Sequence, residues 1–191
     1  MSQIKCKTEL RKQLEIEQLI IDIAQGDSHA IEMLYRKTSK NIFGYALSIL
    51  KNPTDTEDVL HDCYMQIIKR ASSYQSVGKP MAWVMTIAKN LCYDAMRERK
   101  KTKMLPEMEQ FKTIAEQNNL SHEESILLNE CMNGLCDGDR QIVVLHAICG
   151  YKHYEIADWL QLPLSTVLSK YRRALLKLRT AMLKGDLYND G

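Results

Sequence analysis

"LPLSTVLSKYRRALLKLR", residues Leu162–Arg179, decides how the rest of the chain is read. Val167, Tyr171, Ala174 and Leu178 recur at spacings of four, three and four, which puts them on one face of a helix. Ser165, Thr166, Ser169, Lys170, Arg172, Arg173 and Lys177 fall on the remaining surface. Six cations lie between Lys170 and Lys184 with no carboxylate among them, although the whole chain carries a formal charge of only +2. Upstream, Gln161, Leu162 and Pro163 separate this helix from a short one expected over Tyr154–Leu160. Two helices across a three-residue turn form the helix-turn-helix pattern. Small hydroxyl side chains at the start of the second helix permit close approach to a groove, and the cations behind them reach base edges or phosphates. A merely solvated face has the same composition, so the neighbouring segments must decide. A membrane-surface helix does not fit, because the apolar stripe is narrow and is needed as core.

A chain of 191 residues holds one ordinary domain or two small ones. A hydrophobic fraction of 45% with 26% charged residues of both signs describes a folded protein. No window approaches the roughly 18 continuous apolar residues of a spanning helix, and "MSQIKCKTELRKQ" lacks the apolar centre of a secretion signal. The expected location is therefore the cytoplasm, with no membrane insertion. Six cysteines without a C-x-x-C pair read as free thiols, most of them acting as small buried hydrophobes. The spacing of Cys131, Cys136, His146 and Cys149 is not that of common zinc modules, so neither a metal nor a cofactor is expected.

Helical periodicity with start and stop chemistry recurs along the chain, and strand signals are nearly absent. Leu14, Leu19, Ile20 and Ile23 form a stripe that stops at Gly26, and Asp27 is positioned to cap a helix running toward Leu50. Thr54 and Glu57 form an S/T-x-x-E box before a helix with Leu60, Cys63, Ile67 and Ala71 on one side. Pro80 opens another, with Val84, Ile87, Leu91 and Ala95 at helical spacing and a basic tail. Between residues 102 and 120 the sequence turns polar and loses its period, which reads as a linker. Ser121 and Glu124 make a second capping box, and Asp137 is positioned to cap the apolar run that ends at Gly150.

Four segments in order then resemble the extracytoplasmic-function group of bacterial sigma factors. "GDSHAIEMLYRKTSKNIFGYAL" is similar to the family's opening G-D-x-x-A segment, and "DTEDVLHDCYMQIIKR" to its D-A-E-D helix. "KPMAWVMTIAKNLCYDAMRERKK" resembles the promoter-melting helix, and "GYKHYEIADWLQLPLSTVLSKYRRALLKLR" the helix-turn-helix. The resemblance implies an all-α fold of two small helical domains joined by a flexible linker, the second a four-helix domain. Residues 1–101 would bind core polymerase and the minus-ten element, 102–120 would link, and 121–191 would hold the minus-thirty-five element.

The resemblance also implies the partners: core RNA polymerase through its beta-prime clamp and beta flap, promoter DNA, and an anti-sigma factor. Asp55, Asp58, His61, Asp62, Tyr64 and Ile67 would face the polymerase. Tyr74, Lys79, Lys89, Asn90, Tyr93, Arg97 and Lys100 would engage the minus-ten strand. Departures from the family pattern are Leu168 for Lys, Lys170 for Arg, Gln161 for the turn Gly, Lys152 for a capping Ser or Thr, Cys136 for Pro, and Thr86 for a basic residue. A residue other than Gly at position 161 costs up to about 1 kcal/mol if its φ is positive. Three other readings compete: a sigma-like decoy that sequesters an anti-sigma factor, a stand-alone helix-turn-helix regulator, and a metal-dependent catalyst at Glu57, His61 and Asp62.

Overall fold

The computed structural model of the chain describes residues 2–76, 78–101 and 130–186, with side chains over 10–76, 78–99 and 130–183. The linker expected over 102–120 and the Ser121/Glu124 box lie outside the described residues. Regular structure among the described residues is helical: α1 (Ser2–Ala24), α2 (Ser28–Leu50), α3 (Pro53–Arg70), a 3-10 turn (Ala71–Ser73), α4 (Pro80–Lys101), α5 (Asp137–Ala147), α6 (His153–Leu160) and α7 (Leu164–Asp186). Two compact units emerge. One holds the described residues of Met1–Phe43 and Glu57–Met104, the other those of Gly44–Thr56 and Leu105–Gly191.

In the first unit, α1 packs on α4 and on the 3-10 turn. The buried stripe of α1 is Ile16, Ile20 and Ile23, at spacings of four and three. Leu14, expected on that face, is exposed because it lies two residues, or about 200° of rotation, from Ile16. The stripe expected along α3 is found, with its last member in the 3-10 turn: Leu60, Cys63, Ile67 and Ala71 are all buried. From α4 come Val84, Met85, Ile87, Ala88 and Cys92. Desolvation pushes the Cys63 and Cys92 thiols up to about 12, so both remain protonated and unreactive at neutral pH.

Helix starts follow local hydrogen-bond chemistry. Asp27 Oδ1 accepts the His29 amide at 2.8 Å, which makes it the expected cap of α2. At α3 the cap is Asn52 rather than Thr54, because Asn52 Oδ1 accepts the Asp55 amide at 3.1 Å while Pro53 fills the first helical position. At α5 the capping position belongs to Cys136, whose side chain makes no capping bond and instead hydrogen-bonds the Asp139 carboxylate; Asp137 stands inside the first turn. Its carboxylate instead receives Lys51 and Arg140, each at 3.0 Å.

The second unit is built around Arg140, a charged side chain with no exposed surface. Its Nε donates to Met132 O at 2.8 Å, and Nη2 donates to Leu135 O at 2.6 Å and Asn133 O at 3.4 Å. The helical residues 130–133 end here, so the guanidinium satisfies carbonyls that the terminus of a helix leaves open. Nη1 reaches Ser48 O at 3.3 Å. Leu135, Val143 and Ala174 form a buried cluster lined by Met132, Tyr171 and Leu178.

Gln161 closes α6 in the left-handed conformation, φ 55° and ψ 43°. The positive φ foreseen for that position is therefore real, and a Gln pays it where Gly would not. Part of the cost is offset by Nε2 donating to Asp158 O at 2.6 Å. Gln161→Gly should accordingly change the stability of the second unit by no more than about 1 kcal/mol, in the stabilising direction, in a thermal melt.

Candidate nucleic-acid interface

The α6–α7 corner is set by backbone bonds that the turn sequence dictates. Leu162 N donates to Ala157 O at 2.9 Å, and Pro163 O accepts the amides of Thr166 (2.9 Å) and Val167 (3.1 Å), which starts α7. Ile156 and Ala157 of α6 and Val167 and Ala174 of α7 are buried. Tyr171 and Leu178, expected on the same inward face, are partly buried against that core. Ser165, Ser169, Arg172 and Lys177 are exposed, and Thr166 is half-buried. Ser169 Oγ donates to Ser165 O at 2.8 Å, which leaves the Ser169 oxygen free to accept. Leu168, the departure from Lys, is 45% exposed beside them.

Two cations of the expected DNA-reading set have a partner inside the fold. Arg173 grips Asp139 with two donors, Nε at 3.0 Å and Nη2 at 3.1 Å, and Lys170 Nζ lies 3.4 Å from the same carboxylate. Asp139 is fully buried. Its hydrogen bonds from Arg173 hold its carboxyl below the ordinary carboxylate value. Sequence reading missed Asp139; its partners stand 31 and 34 residues away.

Behind α7, His146 and His153 stack at 4.2 Å, and both rings meet Tyr171 edge-on at 4.9 and 4.7 Å. Desolvation, and then the neighbouring His146, hold His153 below its ordinary value of 6.5. A base with a depressed folded pKa contributes stability above its unfolded value and loses it as the pH falls through the folded one. Acidification from pH 7 toward 5 should therefore lower the melting temperature of the second unit, and His153→Phe should flatten that dependence. A further loss is expected as the pH falls through and below the ordinary carboxylate range, because Asp139, held lower in the fold, takes up its proton more readily in the unfolded chain.

In the first unit, α4 turns Thr86, Asn90, Tyr93 and Arg97 outward at spacings of four, three and four. Lys89 is half-buried; Arg97 pairs with Asp94 at 2.9 Å; the Lys100 side chain lies outside the described residues. Lys79 is exposed and its carbonyl accepts the Ala82 and Trp83 amides at the start of α4. Tyr74 is held in place: its ring meets Trp83 at 5.1 Å, and its hydroxyl donates to Glu17 at 3.1 Å. Burial, with Glu17 alongside, pushes that hydroxyl up to about 12. Glu17 is a residue the sequence reading did not single out.

On α3, Asp58, His61 and Asp62 are exposed and Asp55 is half-buried. Tyr64 and Ile67, expected to pack on a partner, are core residues instead. Ile67 is 0% exposed, and the Tyr64 hydroxyl shares a 2.7 Å hydrogen bond with Thr38 inside the unit. Both follow Leu60 at helical spacing and so fall on its buried side. The apolar residues beside the acids on the open face are Met65 (41% exposed) and Ile68 (39%). Among the described residues no group of three or more His, Cys, Asp or Glu is placed to hold a metal ion. No helix among them is long and apolar enough to cross a membrane.

The sigma-70 region 2 family model matches residues 34–102, and the sigma-70 region 4 model matches 125–178. The chain is 26% identical over 175 residues to the ECF RNA polymerase sigma factor SigK of Mycobacterium ulcerans, covering 88% of this chain and 94% of that one. It is 24% identical to SigK of Mycobacterium tuberculosis, with the same coverages. Among solved structures it resembles CnrH, in complex with the cytosolic domain of CnrY, at a TM-score of 0.63 and 24% identity, covering 90% of this chain and 99% of CnrH. It also resembles RpoE of Bartonella quintana, solved with the anti-sigma factor NepR, at a TM-score of 0.62 and 19% identity, covering 74% and 89%. With both regions matched in order and a helix-turn-helix at the end of the second, the chain belongs to the extracytoplasmic-function sigma factors.

Proposed function

We propose that this sigma factor brings core RNA polymerase to its promoters through three separate faces and opens the strands there. The observation that carries the reading is the outward face of α7, where Ser165, Ser169 and Arg172 stand exposed at the start of the helix that follows the turn. That face is assigned to the minus-thirty-five duplex, with Thr166 and Lys177 at its margins. The α4 stripe of Asn90, Tyr93 and Arg97, with Lys79, Lys89, Lys100 and the Trp83-backed Tyr74, is assigned to the minus-ten strand, where aromatic faces and cations suit exposed bases. Asp55, Asp58, His61 and Asp62 on α3 are assigned to the beta-prime clamp, and the second unit also to the beta flap. The chain would act in the cytoplasm as an initiation factor and not as an enzyme. The solved RpoE chain, held by the anti-sigma factor NepR, supports an anti-sigma protein as a further binding partner.

The test is run-off transcription by core polymerase plus the full chain over a randomised promoter library. Selected templates should give discrete transcripts and permanganate-reactive thymines near the start site, both absent without the chain. Binding without reactive thymines would remove strand opening, and failure to select any sequence would remove promoter recognition.

A further inference from the structure

Lys170 and Arg173 sit on the helix assigned to DNA, yet both point to one fully buried carboxylate, Asp139 in the first turn of α5. A buried carboxylate is costly unless it is paired. Here the pairing is generous: two donors of the Arg173 fork at 3.0 and 3.1 Å, and an ammonium at 3.4 Å. A guanidinium whose Nε/Nη2 edge is committed to one carboxylate cannot present the same edge to a phosphate or a guanine. The Arg173 side chain remains 55% exposed and Lys170 28%, so both lie close to the surface that duplex DNA would approach. Without Asp139 they would be ordinary phosphate-seeking cations, adding affinity for any sequence.

We propose that Asp139 is an internal counter-anion that withholds Lys170 and Arg173 from DNA, so that non-specific attraction is limited and the exposed Ser165, Ser169 and Arg172 dominate the contact. Asp139 is then a specificity-determining residue that never touches DNA. The inference rests on the assignment of α7 to the duplex.

The experiment measures binding of the full chain to a short duplex of mixed sequence across a potassium chloride series, read as the slope of log affinity against log salt. Asp139→Asn keeps the shape and removes the charge. It should steepen the slope by about 0.9 for each cation freed, between about 0.9 and 1.8, and raise non-specific affinity several-fold. A merely structural loss would lower affinity and leave the slope unchanged or shallower. Arg173→Gln, whose amide can still donate to Asp139, should leave the slope unchanged, whereas Arg172→Gln should lower it by about 0.9. If Asp139→Asn does not fold, the two glutamine variants decide. A folded Asp139→Asn protein with an unaltered slope, or an Arg173→Gln slope that falls as far as that of Arg172→Gln, overturns the proposal while leaving the DNA assignment standing. A wild-type chain that does not bind the duplex, or an Arg172→Gln slope that does not move, overturns the DNA assignment and the proposal with it.

Discussion

Arg140→Met should destabilise the second unit by about 3–5 kcal/mol, the range seen when one partner of a buried ionic network is removed. Methionine fills similar space and supplies no donor. The carbonyls of Met132, Leu135 and Ser48 would lose their Arg140 donor, and Asp137 would keep only Lys51 of its two cationic partners. Each buried acceptor left open costs about 1–3 kcal/mol, so the total is a large share of an ordinary domain's margin of about 5–15. Arg140→Lys should fall between wild type and Met, since one ammonium cannot serve the acceptors that the planar fork reaches together. A denaturant melt that separates the two units would read the loss in the second; a midpoint unchanged by Arg140→Met would show that those carbonyls find other donors.

The second large effect is on assembly. Charge reversal at Asp58 and Asp62 together should weaken binding to core polymerase by at least about a hundredfold, equivalent to about 2.7 kcal/mol. Both are exposed, one turn apart on α3, so the change should leave the helical circular-dichroism signal intact while setting like charges against a basic partner face. Titration of labelled full chain with core polymerase measures it. Met65→Ala and Ile68→Ala should weaken binding more modestly, as loss of apolar contact, without altering its salt dependence. Undiminished affinity in the charge-reversed protein would remove α3 as the docking helix.

How much could be read from the sequence depended on the range of the interaction. The helix-turn-helix was legible because its determinants are local: the left-handed Gln161, the carbonyl of Pro163 and the four-three-four apolar spacing lie within one short segment. Clamps between distant residues were not. The Asp139–Arg173 pair, the Glu17–Tyr74 bond and the Arg140 hub join positions far apart in sequence, and periodicity carries no information about them. Tyr64 and Ile67 show a different limit. The resemblance turned them toward the polymerase, but Ile67 belongs by spacing to the stripe of Leu60 and Cys63, and Tyr64 stands one turn after Leu60, so both fill the interior. The caps at Asn52 and Cys136 were each displaced from the expected residue: at α3 Asn52 takes the capping bond, whereas at α5 Asp137 falls inside the first turn, where Lys51 and Arg140 engage it, and Cys136 holds the position without a capping bond.

The second unit recruits Gly44–Thr56 from the early part of the chain, where Tyr45 lies against Trp159 at 5.0 Å and Ser48 supplies an acceptor to Arg140. Anyone grafting this reader onto a foreign sigma factor should therefore transplant the two stretches together. A chimaera cut neatly at the family boundary would leave an indole without its tyrosine and a guanidinium one acceptor short.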